Sequence, residues 1–164
     1  REPTMMDELL QLLKKDARVS VEDLADMLNI SQEEVRSRTA KYEQEGIIRG
    51  YQAIVNEDQL DLDHVRAAIE VRMKPERGGG YDRVAGRIGK FPEVDSLFLM
   101  SGGYDLLVFV KGNSLKEVAG FVNERLATLE GVLSTSTHFT LKTYKDQGVL
   151  METEQNHERL KVSP

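Results

Sequence analysis

A cluster of amide, hydroxyl and cationic side chains lies between Ser31 and Lys41. Arginine and glutamine can form bidentate hydrogen bonds with base edges, whereas lysine pairs with phosphates as a point charge. In a helix beginning here, Gln32, Arg36 and Ser37 lie near the N-terminal half, which usually reaches the bases. The predicted DNA contacts are Ser31, Gln32, Glu33, Arg36, Ser37, Arg38 and Lys41, with Arg49 beyond the helix.

The same stretch also fits a solvated helix face, because several glutamates share it with the cations. Arg38 is ambiguous for a second reason. It lies close to the apolar face of the predicted helix, where a structural ion pair fits as well as a phosphate contact.

A second chemical pattern is the loop Gly102-Gly103-Tyr104-Asp105. Its free N–H groups could hold a carboxylate and Asp105 could pair with an ammonium, which a zwitterionic amino acid requires. The loop also fits an ordinary hairpin turn. Thr135 and Thr137 have a similar dual interpretation, as half-buried strand residues or as hydroxyls of the same site.

Other chemistry is not indicated. The three histidines, His64, His138 and His157, have no second ligand three or four residues away, so we expect no metal site. The Arg77–Gly80 loop lacks the lysine and glycine spacing of a nucleotide loop and fits a connector. With no recognisable nucleophile motif, we expect neither a cofactor nor enzyme activity.

The cationic cluster needs a helix-turn-helix to position it. Two capping boxes, Ser20–Asp23 and Ser31–Glu34, mark two helix starts, and Gly46 marks the end of the second helix. An apolar face from Met6 to Leu13 predicts a preceding helix. Ile47–Val55 is predicted to form a short β-ribbon turned at Gly50, which would make the unit a winged helix.

Composition limits the classes of protein to which the chain could belong. The 164 residues include no cysteine and carry a net charge of −6, which argues against nonspecific coating of nucleic acid and requires any DNA-binding face to be local. No apolar run is long enough for a membrane span, and no signal peptide is recognisable, so we expect a cytoplasmic protein without a membrane partner.

The remainder predicts a sheet domain. Val65–Met73 alternates as a strand, Tyr81–Ile88 is helical, and Val94–Met100 and Asp105–Val110 read as a hairpin. A helix follows from Leu115 to Leu129, and a fourth strand from Val132 to Tyr144. This β-α-β-β-α-β order predicts an α+β chain with a ferredoxin-like second domain.

That arrangement leaves one face of the sheet bare, and an apolar bare face predicts a homodimer. We place the domains at residues 5–60 and 61–146. Residues 147–164 are predicted to form a short helix or a disordered tail.

Taken together, these pieces resemble the leucine-responsive regulatory protein/AsnC (Lrp/AsnC) family of bacterial and archaeal transcription regulators. The resemblance covers about Met6 to Lys145. Glu33-Glu34, Thr39 and Tyr42 depart from the family pattern. The matching residues are Asp16-Ala17-Arg18-Val19-Ser20, Leu24-Ala25, Ile30-Ser31, Arg38, Glu43, Gly46-Ile47-Ile48-Arg49-Gly50-Tyr51 and Gly102-Gly103-Tyr104-Asp105.

The resemblance implies a sequence-specific DNA-binding regulator that responds to an amino acid or a related small molecule. It also implies dimerisation through the sheets, further assembly into octamers, and an effector site between dimers near the glycine-tyrosine-aspartate loop. Two alternatives stay open. One is an enzyme resembling the sirohaem decarboxylases, with His138 as its one candidate residue, and the other is an amino-acid sensor without DNA binding.

Overall fold

The computed structural model describes residues 5–78 and 80–152, and its contacts divide the chain into two compact units. The first unit extends to Ala53 and the second begins at Ile54. The division lies N-terminal to the predicted boundary near residue 60, because Asn56 donates a hydrogen bond of 2.8 Å to the carbonyl of Met151 in the second unit.

Three helices form the first unit: α1 (Glu8–Lys15), α2 (Val21–Leu28) and α3 (Gln32–Gln44). Both predicted caps are present. The Ser20 hydroxyl accepts the Asp23 N–H at 3.0 Å, and the Ser31 hydroxyl accepts the Glu34 N–H at 3.1 Å. Each serine thereby satisfies one backbone donor that the first helical turn leaves unpaired.

The apolar faces of the three helices share one small core. Its buried members are Leu9 and Leu13 from α1, Leu24 and Ala25 from α2, and Val35 and Tyr42 from α3. The α2–α3 turn is closed by Asn29, whose φ of 53° places it in the left-handed region that ends α2. The sequence prediction of a helix-turn-helix is confirmed.

The predicted ribbon at Ile47–Val55 is wrong: no strand forms between these residues. Gly46, with φ 71°, reverses the chain after α3, and its N–H donates to the Glu43 carbonyl at 3.1 Å. The N–H groups of Ile47 and Ile48 both donate to the Tyr42 carbonyl, at 2.9 and 3.1 Å. These donors complete the helix end and are therefore not available to a ribbon, which is marginal without a third strand.

The second unit is a four-stranded antiparallel sheet with two helices. Its elements are β1 (Val65–Met73), α4 (Tyr81–Ile88), β2 (Val94–Leu99), β3 (Leu106–Gly112), α5 (Leu115–Phe121) and β4 (Val132–Phe139). The strand order is β2-β3-β1-β4, and every pairing is antiparallel. This is the ferredoxin-like arrangement that the sequence predicts.

One face of this sheet packs on the helices. The buried residues include alternate positions of β1 and β3, such as Ile69, Val71 and Val108, as well as Ile88 of α4 and Leu126 after α5. The predicted alternation of β1 is therefore confirmed, with Ala67, Ile69, Val71 and Met73 all buried.

Two predicted elements are shorter in the structure. After Phe121, α5 continues as a π-helical turn (Val122–Leu126) and stops before the predicted end at Leu129. The fourth strand ends at Phe139, which pairs with Ala67, and one further backbone bond follows, from the Thr140 N–H to the Arg66 carbonyl at 2.8 Å. Residues up to 152 do not form a separate tail. A two-residue pairing of β5 (Lys145–Asp146) with β6 (Val149–Leu150) follows, and Met151 is buried.

The opposite face of the sheet, called here the open face, is apolar on only one half. On β2 and β3 it carries Phe98 and Phe109, packed edge to face with centroids 6.1 Å apart, and the half-buried Leu107. On β1 and β4 it carries Glu70 and His138, hydrogen-bonded at 2.5 Å. The sequence prediction of an apolar bare face therefore holds for β2 and β3 but not for β1 and β4. The predicted tail from residue 153 onward lies outside the described residues.

Across the described residues, no helix combines the length and apolar character needed to span a bilayer.

Candidate nucleic-acid interface and effector loop

From its N-cap to its last turn, α3 presents an exposed polar surface, called here the reading face. Ser31, Gln32, Glu33, Arg36, Ser37 and Lys41 are all exposed. The Gln32 side-chain oxygen accepts from the Arg36 guanidinium at 3.2 Å, so the arginine is drawn toward the start of the helix. Apart from Arg49, the predicted contacts therefore lie on one rigid element, and only Arg38 among them is half-buried.

Two acidic side chains on α3 have partners away from this face, one of them a cation and the other a neutral hydroxyl. Glu34 lies 3.7 Å from Arg38, and Glu43 accepts a hydrogen bond of 2.8 Å from the Tyr51 hydroxyl. Glu33 remains on the reading face between Arg36 and Ser37. A carboxylate in this position can accept from the N4 amino group of cytosine.

Arg38 is half-buried and its guanidinium bonds to the Asp7 carboxylate, which also accepts from the Tyr42 hydroxyl and, at 2.9 Å, from the Leu10 N–H. This explains the ambiguity of Arg38 in the sequence: the structure places it in an ion pair. We call these three side chains, Asp7, Arg38 and Tyr42, the Asp7 cluster.

The titration of the Asp7 cluster follows from its geometry. Burial by itself would raise the pKa of the Asp7 carboxyl, but the bonds from Tyr42, the Leu10 N–H and Arg38 together hold that pKa below its ordinary value. Burial, and then the bond to Asp7, raise the pKa of Tyr42. The carboxylate is therefore charged at neutral pH and holds Arg38 by charge as well as by hydrogen bonding.

Asp7 is a residue that the sequence reasoning missed. The signal was available, since an aspartate directly before an apolar helix is a common N-cap, and Asp7 does cap α1. What could not be read is its partnership with α3, because the contacts join residues 31 and 35 positions apart in the chain.

Arg49 lies outside α3 but near its end. A Cβ atom added at Gly46 would lie 3.4 Å from a guanidinium nitrogen of Arg49. The side chain is exposed and forms no ion pair with any described residue. It is thus free to contact a phosphate next to the C-terminal end of the helix.

The loop Gly102–Asp105, called here the effector loop, joins β2 to β3. Gly102 has a φ of 127°, which favours glycine, and both Gly102 and Gly103 are exposed. The Met100 N–H donates to the Asp105 carbonyl at 2.8 Å and closes the loop. Tyr104 and Asp105 are half-buried at its base.

Asp105 already has a structural role. Its Oδ2 accepts the Met73 N–H at 2.7 Å, and its own N–H donates to the Val71 carbonyl at 3.0 Å. The second carboxylate oxygen, Oδ1, has no hydrogen-bond partner among the described residues. The side chain therefore ties β1 to β3 and still has one oxygen to offer an ammonium group.

Thr135 and Thr137 are not brought to this loop. Thr135 pairs with Val71 and Thr137 with Ile69, whereas Leu106, next to Asp105, pairs with Val71 on the opposite side of β1. One strand therefore separates the threonines from β3, a distance of about 10 Å. They share the helix-facing side of the sheet with Val71 and Ile69, since paired residues project to one side.

The cleft of about 300 Å³ in the second unit lies elsewhere. Its lining comes from residues 55–66 and 140–151, and it contains none of the six predicted effector residues. Two of its cations are already paired, Arg66 with Glu57 at 3.7 Å and Lys142 with Glu152. The cleft is also open and mostly polar, so we do not assign the effector to it.

His138, the candidate of the enzyme alternative, is exposed on the open face. Its Nε2 contacts Glu70 at 2.5 Å and Ser136 at 3.5 Å. Both contacts use the same ring nitrogen, so they do not form the relay in which a histidine bridges a nucleophile and a carboxylate through different nitrogens. Within the part of the chain that the structure describes, no group of His, Asp and Glu side chains could hold a metal ion.

Comparison with known families identifies both units. The family model of the AsnC-type helix-turn-helix domain matches residues 8–43, and that of the Lrp/AsnC ligand binding domain matches residues 66–150. An uncharacterized HTH-type transcriptional regulator of Bacillus subtilis, YugG, is 44% identical over 158 residues, which cover 96% of this chain and 95% of that protein.

Solved structures agree. AsnC of Escherichia coli is 25% identical with a TM-score of 0.65, covering 85% of this chain and 95% of that one. A transcriptional regulator of Neisseria meningitidis, determined as its L-Met complex, is 25% identical with a TM-score of 0.68, covering 94% and 99%. The chain therefore belongs to the Lrp/AsnC family of HTH-type transcriptional regulators.

Proposed function

We propose that this regulator binds double-stranded DNA with α3 in the major groove and changes its binding in response to an amino acid. The observation that carries the DNA half is the reading face. Arg36 stands exposed beside Gln32, and Lys41 lies exposed further along the helix. The net charge of −6 makes such a local surface necessary, because the chain as a whole repels DNA.

Each residue of the reading face has a proposed role. Arg36 donates to a guanine edge, with Gln32 beside it, and Glu33 accepts from a cytosine. Ser31 and Ser37 contact the sugar-phosphate backbone, as do Lys41 and Arg49. Arg38, which the sequence reasoning included, is excluded from this set because Asp7 holds it.

The test is selection of bound duplexes from a random pool by the wild type and by Arg36→Ala. We expect the variant to lose preference at one base position and about 1–3 kcal/mol of specific binding free energy. Glu33→Gln serves as the matched variant and should change a neighbouring position instead. Identical selected sequences for all three proteins would contradict the placement of α3 in the groove.

For the effector we propose the loop Gly102–Asp105. Exposed glycine N–H groups can hold the carboxylate of an amino acid, and the free Oδ1 of Asp105 can hold its ammonium. The L-Met complex of the Neisseria meningitidis relative supports this ligand class. Thr135 and Thr137 are too far from the loop to share one ligand within a protomer. Because they lie on the side of the sheet opposite the open face, we propose that they contribute from a copy in a neighbouring dimer.

Calorimetry against the twenty amino acids tests the effector site. Asp105→Asn is the informative variant, since an amide oxygen can still accept the Met73 N–H while the charge is lost. We expect the variant to lose binding of whichever amino acid the wild type binds. If both proteins bind that ligand equally, the site is elsewhere. If the wild type binds none, the loop is only a turn.

The open face supports a homodimer, which is the state that we propose, together with the further assembly into octamers that family resemblance implies. Phe98, Leu107 and Phe109 form its apolar half, and Phe98 and Phe109 remain 49% and 38% exposed. Phe109→Glu should convert a sedimenting dimer to a monomer at micromolar concentration. Leu115→Glu, at an exposed leucine at the start of α5 outside the open face, should leave the dimer intact.

We propose regulation without catalysis, and a cytoplasmic location where the DNA is accessible. The contacts of His138 suit a surface hydrogen bond, and the reading face argues against a sensor that has lost DNA binding.

A further inference from the structure

The Asp7 cluster joins the start of α1 to the middle of α3. Arg38 and Tyr42 lie one helical turn apart on α3, and both bond to the same Asp7 oxygen, Oδ2. The other oxygen, Oδ1, accepts the Leu10 N–H and caps α1. One carboxylate therefore fixes the rotation of α3 about its axis with respect to α1.

The cluster also removes a positive charge from the DNA-binding surface. Arg38 lies between two carboxylates, Asp7 and Glu34, and its side chain is only 33% exposed. Arg36, two residues earlier, is exposed and pairs with no carboxylate of the described residues. The two arginines of α3 thus have separate tasks although they are close in sequence.

We propose that Asp7 is a positioning residue for DNA recognition, which holds α3 in register and keeps Arg38 from contacting phosphate. The inference rests on the proposed role of α3. Without the Asp7 charge, Arg38 becomes a mobile cation beside the reading face and adds a contact to phosphate that carries no sequence information. Asp7 therefore acts on specificity more than on affinity.

Asp7→Asn tests the charge without removing the cap, because asparagine caps helices about as well as aspartate. When its amide oxygen accepts the Leu10 N–H, its NH₂ group faces the donors of Arg38. The control is Asp26→Asn, the same chemical change at an exposed position of α2 whose side chain forms no hydrogen bond or ion pair with a described residue. Affinity for the selected duplex and for unrelated DNA is measured by fluorescence anisotropy over a range of salt concentrations.

Relative to Asp26→Asn, Asp7→Asn should lower the ratio of specific to nonspecific affinity by about fivefold or more, the low end of what one bidentate base contact contributes. The slope of log affinity against log salt should steepen by about 0.9, one added phosphate contact. The double variant Asp7→Asn/Arg38→Gln should return to the wild-type slope. A purely structural role would not change this slope.

The inference is overturned if folded Asp7→Asn matches Asp26→Asn in both slope and ratio. If circular dichroism shows that Asp7→Asn does not fold, Arg38→Gln decides instead: an unchanged slope supports the inference, and a slope shallower by about 0.9 shows that Arg38 already contacts phosphate and overturns it. The Arg36→Ala selection separates the two proposals, because it depends on α3 reading bases and not on Asp7.

Discussion

The reading face and the effector loop differ in how the chain assembles them. On α3, the proposed base contacts are a few residues apart on one helix, so their mutual geometry follows from helical spacing alone. In the sheet unit, the residues predicted to share a ligand come from a loop and from β4, with β1 between them. A site on one helix can be read from sequence, whereas a site across strands depends on register.

A second difference concerns how function and stability are combined. Arg36 and Lys41 make no contact that the fold requires. Asp105, in contrast, joins β1 to β3 through Met73 and is also the proposed ammonium partner. Function should thus be separable from folding in the first unit and linked to it in the second.

The largest expected loss of stability is for Asp105→Ala. The N–H of the buried Met73 loses its acceptor, which should cost about 1–3 kcal/mol of unfolding free energy, in addition to abolishing ligand binding. Urea unfolding with Asp105→Asn as the control measures it, since the amide restores the acceptor. An alanine variant as stable as the asparagine variant would show that the aspartate is not structural and would remove the contrast between the units.

The second largest expected loss of stability is for Gly46→Ala. A residue with a side chain in the left-handed conformation costs about 1–2 kcal/mol, and the added Cβ would approach Arg49. Gly50→Ala is the control, because its Cβ would meet nothing within 4 Å. Thermal unfolding of both variants should show a loss at Gly46 only. Equal stabilities would mean that the turn after α3 does not depend on glycine.

Low pH should reduce the stability of the first unit by protonating Asp7, and this effect should be smaller than that of Gly46→Ala. Because the folded pKa of Asp7 lies below its ordinary value, its contribution to stability is fully present above that ordinary value and is lost as the pH falls through the folded pKa. Unfolding measured from about pH 5 down to about pH 2 should be less pH-dependent in Asp7→Asn than in the wild type. Parallel curves would show that Asp7 is not coupled to folding.

Lys41→Ala should have the smallest effect on stability, within about ±0.5 kcal/mol, as expected for an exposed residue away from structural contacts. It should lower the affinity for all DNA sequences alike. The slope of log affinity against log salt should become shallower by about 0.9. Lys14→Ala, an exposed lysine near the end of α1, is the comparison. Sequence-dependent losses for Lys41→Ala would mean that it reads bases.

Local rules account for what the sequence predicted well. Ser20 and Ser31 each satisfy a donor three residues ahead, and the alternation of Val65–Met73 follows the pleat of a strand, so both could be seen without tertiary information. The β-α-β-β-α-β order then determined the sheet topology.

The failures share a cause as well. The β-prone residues Ile47 and Ile48 donate to the end of α3, a competition that strand propensity does not include. Thr135 was assigned to the effector loop without knowledge of register, and the partnership of Asp7 with Arg38 joins distant parts of the chain. In each case a hydrogen bond or pairing that residue propensity does not describe decided the outcome, local at the end of α3 and long-range in the other two.

The division of the open face into an apolar and a polar half bears on gene duplication. If the gene of such a regulator is duplicated, both chains are made in the same cell and can assemble with each other. An aromatic half such as Phe98 and Phe109 would accept any similar chain, whereas Glu70 and His138 require a partner that leaves both satisfied. We expect paralogues to diverge first at the positions equivalent to these two, because one changed charge there would separate newly duplicated regulators into independent assemblies.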